Sequence, residues 1–181
     1  MKIPYLPIFA TAFALLCGSA RGEIRHFTLS GAKVSIEVPA QWQALPDYLG
    51  VPLMMMGPEL GGGRPVISLT PTGKSYPTLK PNELDRNQGD YRDGREAWLS
   101  RRGGRSLAYL PFRSEKIGTS EFNSIGYRYV LGPDLKNEYV EASVYVVCRG
   151  KLYHLSTLMR AAHENQYSTQ IDRVVRSFAC E

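Results

Sequence analysis

Ser143, Ser156, His154 and Glu141 carry the side-chain types of a hydrolytic centre: a hydroxyl to attack, an imidazole to take its proton and a carboxylate to orient the imidazole. They fall in two runs of strand character, Tyr139 to Cys148 and Lys151 to Met159, separated only by Arg149-Gly150. A two-residue turn there pairs Tyr145 with His154 and Ser143 with Ser156, with Glu141 on the same face. No Gly-x-Ser-x-Gly elbow surrounds either serine, and flat strands offer no oxyanion pocket, so the sequence favours a solvated face or a contact with a second helix over a catalytic centre.

Other chemical signals are incomplete. His163-Glu164-Asn165-Gln166-Tyr167 begins like a zinc-protease helix but places Tyr where the second imidazole belongs, so no metal site is expected. Gly61-Gly62-Gly63-Arg64 lacks the Gly-Lys-Ser/Thr of a phosphate loop and the Gly-x-Gly-x-x-Gly of a dinucleotide site, and no cofactor is expected. Met54-Met55-Met56 beside that loop is the most unusual local run. Thioethers adapt to partner surfaces, so Met54, Met55, Met56 and the loop Gly61, Gly62, Gly63 and Arg64 form the expected partner-binding segment.

The chain has 181 residues with three cysteines. Met1-Lys2, an uncharged run from Ile8 to Cys17, and small residues in Ala20-Arg21-Gly22 read as a secretory signal cleaved after Gly22. Cleavage after Ala20 is the alternative. The run is too short to span a bilayer. Leu16 stands where a lipid-anchoring signal wants a small residue, so Cys17 is not expected to carry a lipid. Export leaves one domain, 23–181, with Cys148 and Cys180 as an even pair in an oxidising compartment, and we expect them to be joined.

The formal net charge is +5; without Lys2 and Arg21 the mature chain carries 20 basic and 17 acidic side chains. The arginines of 86–105 are interspersed with Asp85, Asp90, Asp93 and Glu96, which argues against nucleic acid as a partner. Another envelope protein, or a cell-wall or membrane-surface component, is the expected partner.

The elements that must position these residues follow from periodicity. Arg25 to Ser30 and Lys33 to Val38 alternate around Gly31-Ala32 as a hairpin, and Pro39 to Trp42 is a turn that returns the indole over the sheet. Val51 to Met56 and Pro65 to Thr70 are strands joined by a loose glycine loop. A helix follows, capped by Asn82, with Leu84, Gln88, Tyr91, Arg95 and Trp98 recurring at three and four. Leu107 to Arg113 and Phe122 to Leu131 are further strands. Tyr167, Ile171, Val174, Val175 and Phe178 give the segment Ala162 to Phe178 a strong apolar helical stripe. It should cover the face bearing Ala142, Val144, Val146, Cys148, Tyr153 and Leu155.

Val34-Ser35-Ile36-Glu37-Val38-Pro39 with Trp42, Gly126-Tyr127-Arg128-Tyr129, Gly150-Lys151-Leu152-Tyr153-His154-Leu155 and the ending Val174-Val175-Arg176-Ser177-Phe178 together resemble the PsbP-like and DcrB-related proteins. The resemblance covers most of the chain after the leader. It implies an α+β fold: a central antiparallel sheet of six to eight strands with helices packed on it, in a PsbP-like α/β/α sandwich. It implies no shared active site, since members mostly bind or assist other proteins.

Overall fold

The computed structural model describes residues 22–75, 81–132 and 137–181. The segment expected to be a leader, and with it Cys17, lies outside the described residues. Ten strands and three α-helices follow in the order β1 (Glu23–Leu29), β2 (Ala32–Val38), β3 (Gln43–Tyr48), β4 (Val51–Met56), β5 (Val66–Ser75), α1 (Pro81–Arg86), α2 (Gln88–Ser100), β6 (Arg105–Ile117), β7 (Ser120–Leu131), β8 (Asn137–Cys148), β9 (Lys151–Arg160), α3 (Glu164–Ser177) and β10 (Ala179–Cys180). Seven strands form an antiparallel sheet in the order β3-β4-β5-β9-β8-β7-β6, and β1-β2-β10 form a smaller one. The expected α+β class and sandwich architecture are therefore present.

The last hairpin sets the register of the large sheet. Arg149 (φ 49°) and Gly150 (φ 73°) make a two-residue turn with the twist that strands require, and Cys148 faces Lys151, Val146 faces Tyr153 and Val144 faces Leu155. Because side chains alternate, one face collects Val144, Val146, Cys148, Tyr153 and Leu155, all buried. The stripe Tyr167, Ile171 and Val174 of α3 packs there, and β2 adds Val34, Ile36 and Val38 to the same core. Trp42 joins this layer through an indole hydrogen bond from Nε1 to Gln170 Oε1 at 3.0 Å and an edge contact with Tyr167.

α3 is held to β2 by polar contacts as well. Arg173 Nε lies 2.7 Å from Glu37 Oε1, and Glu37 N donates to Ser177 Oγ at 2.7 Å. After α3, β10 pairs with β2, and Cys180 is bonded to Cys148 with Cα atoms 5.8 Å apart, a usual spacing for a disulfide. The bond thus links β10, which follows directly on α3, to the end of β8.

Several expectations change. β3 was not foreseen; its residues Gln43, Ala44, Leu45, Pro46 and Asp47 lack strand composition and become a strand by pairing along β4. The turn of the first hairpin is Ser30-Gly31, not Gly31-Ala32, since Leu29 pairs with Ala32. The single helix expected from Asn82 is broken at Asn87, with Asn82 inside α1, and the buried anchor of α2 is Leu99, outside the expected stripe. A 3-10 turn, Ala161–His163, precedes α3, and Phe178 lies just beyond its end.

The glycine loop is tight rather than loose. Gly61 (φ 52°) and Gly62 (φ 76°) form another two-residue turn, with reciprocal hydrogen bonds between Leu60 and Gly63 at 2.8 and 3.0 Å. Arg160 Nη1 donates to Gly61 O at 3.1 Å and seats the turn.

The 32-residue span closed by the disulfide predicts a loss of about 3–4 kcal/mol on cutting it, by the chain-entropy account. Urea unfolding of Cys148→Ala/Cys180→Ala should show a lowered midpoint, and reduced wild type should move with it.

Candidate functional site

The second face of the large sheet carries the residues singled out above. Three rows cross it. Met54, Ser68, Ser156 and Ser143 are successive cross-strand neighbours from β4 to β8. Thr70, His154, Tyr145 and Asn123 form the row on one side, and Met56, Val66, Leu158, Glu141, Tyr127 and Tyr109 the row on the other. The expected pairs Tyr145–His154 and Ser143–Ser156 are in register, and the period-2 alternation puts Met54 and Met56 on this face. Met55 points the other way and is fully buried in the core, so it is not part of a partner surface.

α2 covers the β6–β8 half of this face. Leu99 is buried against Tyr127 and Tyr129, Trp98 meets Tyr129 edge-on, and Tyr91 meets Tyr127 edge-on. Arg95 reaches down from α2 over the Tyr91 and Tyr127 rings, at 5.3 and 5.2 Å from their centroids. Its Nη2 lies 3.0 Å from Glu141 Oε1, and Tyr127 OH donates to Glu141 Oε2 at 3.1 Å. Burial and the adjacent Glu141 carboxylate raise the pKa of Tyr127, which keeps the phenol protonated as the donor.

This arrangement separates the four residues that a hydrolase would need together. Glu141 is committed to Arg95 and Tyr127 and does not orient His154. His154 lies stacked on Tyr145 with ring centroids 4.7 Å apart, and its Nε2 is buried without a hydrogen-bond partner. Burial, aided by the positive charge of Arg95, lowers its pKa from 6.5 to about 4. Ser143 is fully buried, and Ser156 is half-buried beside it.

Sequence reasoning missed Tyr91, Arg95, Asn123 and Tyr127 as members of this site. Asn123 is fully buried with neither its amide nitrogen nor its oxygen bonded, and Ser143 Oγ and Tyr91 OH likewise lack a partner of hydrogen-bonding geometry. Ser143 nonetheless sits beside the Tyr91 and Tyr145 hydroxyls. Each such unpaired group costs about 1–3 kcal/mol, and these groups are gathered on one face of the sheet. The polar residues were visible as letters; that they lie together and unpaired depends on a helix from elsewhere in the chain.

Among the described residues, α1 and α2 pack over β6, and the β4–β5–β9 half of the face is more open. Met54, Met56, Ser68, Thr70 and Ser156 are all half-buried there. Gly63 and Arg64 lie beyond the strand end, where Arg64 pairs with Glu59 at 3.4 Å and a Cβ on Gly63 would come within 2.9 Å of Arg160. His163 and Glu164 of the partial zinc motif are split between the 3-10 turn and α3, and Glu164 bonds Arg128 at 2.5 Å. No described helix is long and apolar enough to cross a membrane.

No family model and no curated protein matches the chain. Solved structures do. The cyanobacterial PsbP protein CyanoP of Synechocystis superposes with a TM-score of 0.60 at 12% identity, over 91% of this chain and 96% of that one. LpqN of Mycobacterium tuberculosis, described as involved in cell envelope biogenesis, gives 0.55 at 14% identity, over 88% and 84%. A protein of Bacteroides thetaiotaomicron gives 0.52 at 12% identity, over 90% of this chain and 49% of that one. At such identities the likeness establishes a PsbP-like fold and nothing about activity.

Two outcomes follow from the geometry. Unfolding exposes His154 to its ordinary pKa of 6.5, so the unfolded chain takes up more protons below that pH, and this site removes up to about 3 kcal/mol of stability as pH falls from 6.5 to about 4. An NMR titration of His154 and urea midpoints across that range should show it, and His154→Phe, which keeps the ring stack, should flatten the dependence. Arg95→Leu leaves Glu141 uncompensated beneath α2 and should cost about 3 kcal/mol in urea unfolding, most of it recovered in Arg95→Leu/Glu141→Leu.

Proposed function

We propose that the chain is an exported, non-catalytic accessory protein of the cell envelope. Its leader ends near Gly22, and its domain 23–181 binds another envelope component, a protein first of all. The observation that carries this reading is the half-buried, uncharged strip of thioethers and hydroxyls formed by Met54, Met56, Ser68 and Ser156, continuous with the unpaired polar atoms beneath α2. Adaptable thioethers beside neutral hydrogen-bonding groups suit a partner surface.

Supporting context comes from the disulfide, a feature of oxidising compartments, and from a fold shared with a protein described as acting in envelope biogenesis. The relation to DcrB-related proteins belongs to this proposal too, on the residues quoted for it. The outer strands of the sheet are poor sites for adding a partner strand. Pro46 lies in β3, while Pro111 and two register shifts interrupt β6.

The test is photo-crosslinking in the living cell from a reactive residue placed at Ser156, with the exposed Lys116 position as control. A defined adduct from 156 that is absent from 116, and lost in Met54→Lys/Met56→Lys, is the expected result. Equal adducts from both positions would remove the strip from the proposal. Turnover of p-nitrophenyl acetate that disappears in His154→Ala would overturn the non-catalytic reading.

A further inference from the structure

The opposite sheet face holds a second feature, independent of the strip just described. α3 leans over β2 and β9 and leaves the surface of β6, β7 and β8 beside it open. A trough of about 270 Å³ results, near the lower end of the size range of small-molecule sites. Its floor is Phe122, Val140 and Val144, and its walls are Ile171 and Val175 from α3 and Leu110 from β6. The depth of the trough has a local cause. Gly126 and Ala142 pair across β7 and β8, and a Cβ on Gly126 would come within 3.0 Å of Leu110 Cδ1 and 2.5 Å of Glu141 O, so the row stays low.

Charges mark the two ends. Arg128 of β7 bonds Glu164 at the start of α3, and Arg176 near its end bonds Glu115 of β6, so ion pairs from α3 cross to the sheet at both ends of the trough. Arg176 also holds Asp172 at 2.7 Å. Beside this pair, Arg113 lines the trough, is exposed, and has no carboxylate within ion-pair distance among the described residues. A largely apolar trough whose lining includes a cation outside any ion pair among the described residues is complementary to an anionic head on an unbranched chain. A polypeptide strand is the poorer fit, because the interrupted β6 edge beside the slot cannot supply a regular ladder.

We propose that this trough binds the acyl chain of a single-chain anionic amphiphile, with the head group at Arg113. A fatty-acid carboxylate and a lysophospholipid phosphate share that chemistry, and the experiment separates them.

Purified, oxidised 23–181 is titrated with the fluorescent fatty acid cis-parinaric acid. Displacement is then measured with laurate, lysophosphatidylglycerol and the cationic dodecyltrimethylammonium. Wild type should enhance the fluorescence saturably. Ser168→Trp fills the slot from an exposed position on α3 without removing a core atom, and should weaken binding at least about tenfold. Arg113→Glu should weaken it by about three- to tenfold, and less so at high salt. Laurate competing well and the lysophospholipid poorly identifies a free fatty acid as the ligand type; the reverse identifies a lipid phosphate. Undiminished binding by Ser168→Trp with an unchanged urea midpoint, or competition by the cationic amphiphile as strong as by the anions, would overturn the assignment.

Discussion

The register of the β8–β9 hairpin governs this molecule. Arg149 and Gly150 both adopt positive φ, and the two-residue turn they form admits one pairing of the strands that follow. A slip of one residue would send Val144, Val146, Tyr153 and Leu155 into the face now occupied by Ser143, Tyr145, His154 and Ser156. With the register as it is, one face is apolar enough to bury α3 and the β2 hairpin, and the other must be polar. The disulfide reinforces the apolar side by tying Cys148, the last residue before the turn, to β10 in the small sheet.

The polar face is handled in two different ways along its width. Beneath α2 the charge is neutralised locally: Arg95 meets Glu141, the tyrosines of β6, β7 and β8 stack in a ladder, and Leu99 anchors the helix. Beside the Arg95–Glu141 pair, on β7, β8 and β9, lie buried polar groups without a hydrogen bond of full geometry: Asn123, the Nε2 of His154, and Ser143 next to the Tyr91 and Tyr145 hydroxyls. A fold selected only for stability would replace such groups with apolar ones of similar size, which is often neutral or favourable. Their presence beside an open strip of Met and Ser is what the proposed binding role rests on. The carboxylate that a catalytic histidine would need is taken by Arg95.

The apolar face is also incompletely covered. α3 is a single helix of 14 residues, and one helix is too narrow to cover a seven-stranded sheet. Its contacts with β2, through Glu37 and Ser177, hold it to one side. The trough over β6–β8 follows from that offset, and ion pairs from α3 cross it at its two ends.

The amino-acid sequence by itself determined the features that depend on local periodicity. Alternation in Tyr139 to Cys148 and Lys151 to Met159, the two-residue turn between them, the 3.6-residue stripe of α3 and the spare pair of cysteines each specify a structure within a short stretch of chain. So the last hairpin and the closing helix were legible, and so were the identities of Glu141, Ser143, His154 and Ser156, while the fold class came from the resemblance to PsbP-like proteins. Tertiary structure alone decided what depends on distant partners. β3 is a strand because β4 lies beside it, the glycine turn is seated by a hydrogen bond from Arg160, and Met55 is core while its neighbours are half-buried on the other face because β5 fixes the face. Arg95 from α2 claims Glu141, and no pattern within either segment encodes that encounter. Periodicity reports which way a side chain points relative to its neighbours in sequence; what it then meets is set by long-range packing.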